Sequence, residues 1–253
     1  RTDRIRAVDP DTRQIKWESV PLEKGSSASL ADGKLFLAST ESSKKIAIDT
    51  TTGKVLWEKN IGSSSVGLPA VGGNGYIYIG SEGSYYAINS ENGEEIWRFK
   101  TDEQDGQATP TIGNEGTIYC GTYDSQNKGK LYALDGTTGQ LLWKYVKTAG
   151  IASVPAVDAD ETVYFGSWDQ KIYAIDGKTG EPKWRILTNK SVNGFPVIGK
   201  DGTLYIANSK SLFAINCQSG KYEWREDKIA PKMYSAPTVS ADSKLYVREN
   251  DNV

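Results

Sequence analysis

The sequence contains no histidine, and it has two cysteines and one methionine among its 253 residues. Histidine is the commonest general base, and it activates serine and cysteine nucleophiles. Its absence argues against ordinary hydrolase chemistry. Cys120 and Cys217 match neither a CxxC metal pair nor a disulfide framework. We therefore predict two packed thiols, and a disulfide between them is the alternative.

The sequence also lacks a long apolar segment and a dominant charge. No stretch approaches the roughly 18 consecutive apolar residues that a membrane-spanning helix needs. The first residues, RTDRIRAVDPDTRQIKW, contain no apolar signal-peptide core. The 30 lysines and arginines nearly balance 32 aspartates and glutamates, so the formal net charge is −2. We therefore expect no binding to nucleic acid and no direct insertion into a membrane.

A repeat runs through the chain instead. Six tryptophans follow one another at intervals of 40, 40, 46, 41 and 40 residues: Trp17, Trp57, Trp97, Trp143, Trp184 and Trp224. Each tryptophan ends an eleven-residue phrase that opens with alanine, as in AIDTTTGKVLW and AIDGKTGEPKW. Such regularity indicates a repeat protein.

The phrase predicts a β-hairpin. Its apolar residues alternate up to an Asp or Asn, which can bind the backbone two residues further on. A glycine at the fifth turn position tolerates a positive φ, and the tryptophan begins the next strand. Arg13 replaces that glycine in the first copy, as an atypical terminal repeat can. A second hairpin precedes each phrase, so every repeat supplies four strands, which we name A to D.

Four antiparallel strands in forty residues are typical of a propeller blade. We predict an all-β protein, a β-propeller of four-stranded antiparallel blades in a single domain spanning residues 1–253. Five repeats contain all four strands: 28–60, 64–100, 106–147, 150–187 and 191–227. Residues 235–250 supply strands A and B, and residues 3–20 supply strands C and D. We expect these halves to form a sixth blade shared between the termini, which removes open sheet edges. The alternative is a longer protein with more repeats.

The phrase, with Tyr86, Tyr132 and Tyr173 directly before the alanine, resembles the tryptophan-docking motif of pyrroloquinoline-quinone (PQQ)-like propellers over essentially the whole chain. That family includes quinoprotein dehydrogenases, which hold PQQ and Ca²⁺ at the propeller axis. It also includes cofactor-free relatives such as the lipoprotein subunit of the bacterial outer-membrane β-barrel assembly machine. A WD40 propeller has a similar period, but its Gly-His signature requires histidine.

The resemblance to the dehydrogenases is incomplete. Those enzymes typically carry adjacent half-cystines beside the quinone, whereas Cys120 and Cys217 are far apart. We therefore expect no catalytic residue, no metal and no cofactor, and a PQQ- and Ca²⁺-dependent alcohol or sugar dehydrogenase is the alternative. A second alternative is a ligand-sensing extracellular domain of a larger receptor.

The six repeated tryptophans have a structural explanation, since each ring can pack between neighbouring blades. We place function in the variable B–C and D–A connections, which share one face. The longest B–C insertion spans residues 121–130. The candidate binding residues on this face are Glu82, Tyr123, Asp124, Trp168, Asp169, Met233 and Tyr234.

Two of these residues are expected to be neighbours. Tyr123 and Trp168 follow corresponding Gly-Thr and Gly-Ser pairs, so both should lie on the same rim and form a binding patch. The alternative is that the rings are local lids. The carboxylates of Glu82, Asp124 and Asp169 are either cation ligands or solvated loop charges.

We predict a monomeric, non-catalytic scaffold that docks a protein, peptide or glycan through this face. The family resemblance implies a bacterial protein of the periplasm, the cell envelope or the medium.

Overall fold

The computed structural model describes residues 4–23, 27–64, 67–81, 83–102, 106–227, 236–240, 242 and 244–248. In these segments the chain forms short β-strands joined by turns. No helix in them is long and apolar enough to cross a membrane. Three candidate residues, Glu82, Met233 and Tyr234, lie outside the described residues.

The chain divides into two compact units, Arg1–Pro110 and Thr111–Val253. The prediction of a single domain stays a prediction. The sheets in each unit follow the repeat, because strands that are consecutive in sequence pair antiparallel.

The first unit holds a terminal hairpin and two four-stranded sheets. The hairpin consists of β1 (Arg6–Val8) and β2 (Ile15–Glu18). The first sheet consists of β3 (Ser27–Ala31), β4 (Lys34–Ala38), β5 (Lys44–Asp49) and β6 (Val55–Asn60). The second sheet consists of β7 (Ala70–Val71), β8 (Tyr76–Ser81), β9 (Ser84–Asn89) and β10 (Glu95–Lys100). A two-residue strand, β11 (Gly106–Gln107), follows.

The second unit holds three such sheets and a final hairpin. Within this unit, the third sheet contains β12 (Thr111–Ile112), β13 (Thr117–Tyr123), β14 (Lys128–Asp135) and β15 (Leu141–Ala149). The fourth consists of β16 (Ala156–Val157), β17 (Thr162–Gly166), β18 (Lys171–Asp176) and β19 (Pro182–Leu187). The fifth consists of β20 (Val197–Ile198), β21 (Thr203–Ala207), β22 (Leu212–Asn216) and β23 (Tyr222–Glu226). The hairpin pairs β24 (Thr238–Val239) with β25 (Leu245–Tyr246).

The prediction of an all-β chain with four antiparallel strands per repeat is confirmed. The number of blades, and the sixth blade shared between the termini, stay predictions.

The third repeat departs from the prediction in one respect. The sequence predicts the longest loop at the insertion, residues 121–130, but β13 and β14 continue into it, so that only residues 124–127 lie between the two strands. Lys128 pairs with Ala149 and Gly129 with Thr148 on β15. The insertion therefore extends the hairpin, because the neighbouring strand can satisfy its backbone hydrogen bonds.

The turns of the repeated phrase form as predicted. Asp176 Oδ1 accepts hydrogen bonds from the backbone N–H groups of Lys178 (3.0 Å) and Thr179 (2.9 Å). The N–H of Gly180 donates to the Asp176 carbonyl (2.8 Å), and Gly180 has φ +76°. That conformation is in the left-handed region that glycine adopts without strain.

The repeated tryptophans connect consecutive sheets within each unit. The indole Nε1 of Trp17, Trp57, Trp143 and Trp184 donates to a backbone carbonyl in the C–D turn of the next repeat. The acceptors, in that order, are Thr50 (2.7 Å), Ser90 (2.9 Å), Gly177 (2.8 Å) and Cys217 (2.8 Å). We call this arrangement the Trp–turn contact.

The apolar core is likewise shared between consecutive sheets. In the second unit, Leu131 of the third sheet and Phe165 of the fourth are completely buried in one cluster. Phe165 also stacks on Tyr173, with ring centroids 5.1 Å apart. Consecutive side chains of strands B and C point to opposite faces of the sheet, so burial of these strands covers both faces. The exposed polar groups lie on the loops at the strand ends.

Candidate functional site

The second unit brings four of the predicted binding residues to one end of its strands. Residues 124–127 and 167–170 form the B–C connections of the third and fourth sheets, and residues 150–155 and 188–196 form D–A connections. We call these four segments, together with Tyr123 at the end of β13, the loop face. Tyr123, Asp124, Trp168 and Asp169 all lie on it and are all half-buried.

Tyr123 and Trp168 contact each other. Their ring centroids are 5.3 Å apart, and the ring planes are inclined by 50°. Aromatic pairs prefer offset and tilted arrangements of this kind. The structure therefore places the two residues side by side, as the sequence predicted, whereas their role in binding stays a prediction.

Gly150 positions the Trp168 side chain. The backbone N–H of Trp168 donates to the Gly150 carbonyl (3.0 Å), and the Gly150 N–H donates to the Asn127 carbonyl (3.0 Å). A Cβ atom at Gly150 would lie 2.4 Å from Trp168 Cε3, so the indole rests directly on the glycine backbone. Ser191 Oγ donates to the Trp168 carbonyl (3.0 Å). The loops are therefore held together by backbone contacts.

The two described carboxylates stabilise their own loops. Asp124 Oδ1 accepts from the N–H groups of Gln126 (2.9 Å) and Lys128 (2.7 Å). Asp169 Oδ2 accepts from the Tyr173 hydroxyl (2.5 Å) and from Lys171 Nζ (2.9 Å). Burial, together with the hydrogen bond to Asp169, raises the pKa of Tyr173 well above its ordinary value.

A metal site is not evident in the described segments, where no group of three or more His, Cys, Asp or Glu side chains could hold an ion. The expectation that the chain uses no cofactor stays a prediction.

One residue of the loop face was missed by the sequence analysis. Asn193 is only 6% exposed, and its Oδ1 has no hydrogen-bond partner among the described residues. A buried acceptor without a donor costs free energy, so it often marks the position of a bound water or ligand group. Asparagine in a loop is an ordinary turn residue. Its burial could not be inferred from the sequence.

A cleft at the opposite ends of the strands was also missed. It has a volume of about 380 Å³ and is lined by residues 158–160, 198–202 and 216–218. The Asp158 carboxylate in this cleft already accepts three hydrogen bonds. The donors are the N–H groups of Asp160 (2.9 Å) and Thr162 (2.8 Å) and the Tyr164 hydroxyl (2.7 Å). Burial raises the pKa of the Cys217 thiol to about 11, so the cleft presents no thiolate at neutral pH.

Both cysteines are free and buried, in agreement with the predicted packed thiols. Burial also raises the pKa of the Cys120 thiol well above its ordinary value.

The comparisons with known proteins agree with this fold. A family model described as "Outer membrane protein assembly factor BamB" matches residues 1–153 and 127–253. BamB of Yersinia pestis is 26% identical over 155 residues, which are 55% of this chain and 38% of that protein. BamB of Bordetella pertussis is 31% identical over 136 residues, which are 51% of this chain and 33% of that protein. The aligned stretches thus span well under half of either relative.

Enzymes are also among the similar proteins. A polyvinylalcohol dehydrogenase of a Pseudomonas species is 26% identical over 169 residues, which are 57% of this chain and 26% of that protein.

Solved structures share the fold at low sequence identity. BamB of Moraxella catarrhalis has a TM-score of 0.58 at 18% identity, and the match covers 94% of this chain and 86% of that one. The computationally designed Ika8 protein has a TM-score of 0.77 at 14% identity, with coverage of 94% and 75%. At such identity the likeness concerns the fold alone.

Proposed function

This chain belongs to the PQQ-like β-propeller family described as outer membrane protein assembly factor BamB, and from that membership we propose that it is a non-catalytic scaffold that binds a protein partner through its loop face. The relatives are named as factors that assemble outer membrane proteins. A factor of that kind must bind proteins, so a protein segment is preferred here to a glycan. We place the chain, by the same reasoning, in the bacterial cell envelope.

The Tyr123–Trp168 pair is the observation that supports this proposal. Tyrosine and tryptophan are enriched among the residues that contribute most to binding energy, because they supply a large contact area with few rotatable bonds. Both rings are half-buried and in mutual contact, and Trp168 rests on Gly150. Little side-chain freedom would therefore be lost on binding, which reduces the entropic cost of association.

The polar surroundings suit a peptide backbone. Asn193 Oδ1 lacks a donor among the described residues and lies two residues from Ser191, whose hydroxyl binds the Trp168 carbonyl. A partner or a bridging water that donates a hydrogen bond would satisfy this buried acceptor. An extended protein segment would supply both groups, an apolar side chain against the aromatic pair and a hydrogen-bond donor near Asn193.

The experiment compares two double variants of the full chain as baits for cross-linked capture from bacterial envelope extracts. Tyr123→Ala with Trp168→Ala removes the aromatic pair. Leu141→Ala with Leu142→Ala is the matched control, because these side chains are 43% and 53% exposed on β15, away from the loop face. We expect the proteins captured by the wild type to be lost from the first variant and kept by the control. Equal capture by both variants would refute the loop face as the binding surface.

The non-catalytic part of the proposal has its own test, since a dehydrogenase is among the similar proteins. Calorimetric titration of PQQ, with and without Ca²⁺, is combined with a dye-linked alcohol oxidation assay. We expect neither binding heat nor turnover. Saturable Ca²⁺-dependent binding with oxidation would make the chain an enzyme.

A further inference from the structure

Both B–C turns of the loop face contain a residue in a conformation that favours glycine. Asn127 has φ +62° and Gln170 has φ +67°. In the B–C turn of the second sheet the corresponding residue is Gly83, with φ +67°. A residue with a side chain costs free energy at such a φ, and strain of this kind is concentrated at functional sites.

The turn itself does not require these side chains. The Gly83 carbonyl accepts a hydrogen bond from the N–H of Thr101 (2.8 Å), and the Gln170 carbonyl accepts one from the N–H of Thr188 (2.8 Å). Glycine thus makes the same backbone contact as glutamine does, without the strain. The role of the Gln170 side chain must therefore be sought outside the turn.

The carboxamides of Asn127 and Gln170 are exposed beside the aromatic pair. The Asn127 carbonyl accepts from the N–H of Gly150, on which the Trp168 indole rests. The N–H of Gln170 donates to the carbonyl of Ser167, the residue before Trp168 (3.3 Å). A carboxamide offers both a donor and an acceptor, and so does the peptide group of a bound segment.

Asn193 adds a third carboxamide at the same place. The N–H of Val192, the residue before it, donates to the Ser167 carbonyl (3.1 Å), so Asn193 lies beside the turn that holds Trp168. Its Oδ1 is buried and has no donor within the segments that the structure describes. A bound segment that supplies an N–H group would remove the cost of this acceptor.

The geometry of the aromatic pair favours an apolar side chain over a sugar. A sugar ring stacks on a flat aromatic face, but the planes of Tyr123 and Trp168 are inclined by 50°. Gly150 also covers part of the indole. Two inclined rings form a corner, which fits the edge of one aromatic or aliphatic side chain.

We propose, on the basis of the proposed function, that the loop face binds unfolded polypeptide segments chiefly through their main chain. The carboxamides of Asn127, Gln170 and Asn193 bind peptide groups of the segment, and the aromatic pair holds one apolar side chain. Peptide groups are the same in every protein, so the site tolerates many sequences. Binding by the side chains at positions 127 and 170 accounts for the strain of their turns.

The test measures, by fluorescence anisotropy, how the full chain binds a labelled, capped peptide of glycine, serine and threonine with a central phenylalanine. Replacing the residues around phenylalanine should change the affinity by less than about 3-fold. N-methylation of the peptide groups on either side of phenylalanine removes N–H donors and should weaken binding by about 10-fold or more. In Asn193→Ala this difference should shrink, because the buried acceptor is gone.

Gln170→Gly separates binding from folding. It removes a carboxamide and relieves the strain, so it should bind the peptide about 3-fold or more weakly, yet unfold at the wild-type temperature or about 2 °C above it. Arg13→Gly is the matched control, because Arg13 has φ +60° in a C–D turn that is not part of the loop face. It should leave peptide binding unchanged.

Equal binding of the plain and N-methylated peptides would overturn the inference. A Gln170→Gly variant that loses binding only together with a lowered unfolding temperature would also overturn it, and so would saturable binding of maltohexaose in place of the peptide. If no peptide binds while capture of partners still depends on Tyr123 and Trp168, this inference fails and the proposed function stands. Capture that does not depend on these two residues refutes both.

Discussion

The hydroxyl of Tyr119 donates a hydrogen bond to Glu161 Oε2 across 2.9 Å, with both side chains almost completely buried. Tyr119 belongs to the third sheet, and Glu161 lies in the A–B turn of the fourth. Glu161 has φ +58° where the equivalent residues Gly116 and Gly202 have +82° and +78°. A non-glycine residue costs roughly 1 kcal/mol in this region. Glu161 is therefore held there by its contacts with Tyr119 and with the N–H of Glu115 (3.2 Å).

Replacing Tyr119 by Phe should lower the free energy of unfolding by about 1–3 kcal/mol, because the buried Glu161 carboxylate loses a donor. Urea unfolding measures this change. Tyr205→Phe is the control, since the Tyr205 hydroxyl makes no hydrogen bond within the described part of the chain, and it should change stability by less than about 0.5 kcal/mol. Glu161→Gly should cost less in the Tyr119→Phe background than in the wild type. Additive effects of the two substitutions would show that the pair is not coupled.

Lys45 should make stability depend on pH. It is 2% exposed, and burial lowers its pKa from 10.5 to about 8, although Nζ donates to the carbonyls of Ser43 and Ser63 at 3.1 Å. Between these two pKa values the unfolded chain binds more protons than the folded chain. The contribution of Lys45 to stability should therefore rise with pH from about 8 towards 10.5, whereas the buried Cys120 and Cys217 thiols, whose pKa values are raised, contribute in the opposite direction. The penalty at pH 7 is up to about 3 kcal/mol.

Lys45→Met should raise the free energy of unfolding at pH 7, and the difference from the wild type should shrink between about pH 8 and 9.5, because the cysteines and tyrosines titrate alike in both proteins. Denaturant unfolding at several pH values measures both effects. Lys44→Met is the control, because Lys44 is partly exposed and pairs with Glu58 at 2.9 Å. An unchanged pH dependence in Lys45→Met would contradict the assignment.

The Trp–turn contact can be separated from turn strain by two glycine substitutions. Gly180→Ala and Gly202→Ala both place a side chain at positive φ, +76° and +78°. A Cβ atom at Gly202 would meet nothing within 4 Å, whereas at Gly180 that carbon would lie 2.8 Å from Trp143 Cδ2. Gly202→Ala should cost about 1 kcal/mol, and Gly180→Ala should cost a further 1–3 kcal/mol or so from overpacking. Equal thermal unfolding midpoints for the two variants would show that the Trp143 ring does not exclude a side chain at position 180.

Gly150→Ala should displace the Trp168 ring without removing it. The added carbon would lie 2.4 Å from Trp168 Cε3. We expect altered near-ultraviolet circular dichroism and weaker partner capture, because the aromatic pair loses its fixed geometry. Gly73→Ala, where nothing lies within 4 Å, should leave both unchanged. A wild-type spectrum for Gly150→Ala would mean that Gly150 does not position the ring.

The local sequence was sufficient to predict the strands and turns. The phrase around Asp176 and Gly180 encodes its turn through the aspartate side chain and the glycine, and both act within five residues of each other. The proximity of Tyr123 to Trp168 also followed from the repeat, because equivalent positions in consecutive repeats lie at the same strand end.

Two features that the sequence did not predict, the burial of Lys45 and the extended hairpin of the third repeat, depend on long-range contacts. Lys45 stands two residues before the repeated alanine, where the other complete repeats hold Tyr85, Leu131, Ile172 and Leu212. Its charge suggests a solvated side chain, but the register of the sheet directs it inward. The insertion in the third repeat looks like a loop until β15 offers it hydrogen-bond partners.

The sequence by itself determined the repeat, the four antiparallel strands, the C–D turns and the family, because each of these depends on residues close together in the chain or on a period of forty. Only the tertiary structure decided which side chains are buried and which atoms meet. The Tyr119–Glu161 hydrogen bond, the burial of Lys45 and the Asn193 oxygen that has no donor among the described residues all depend on tertiary packing. Packing brings together residues far apart in sequence, and no local pattern records that outcome.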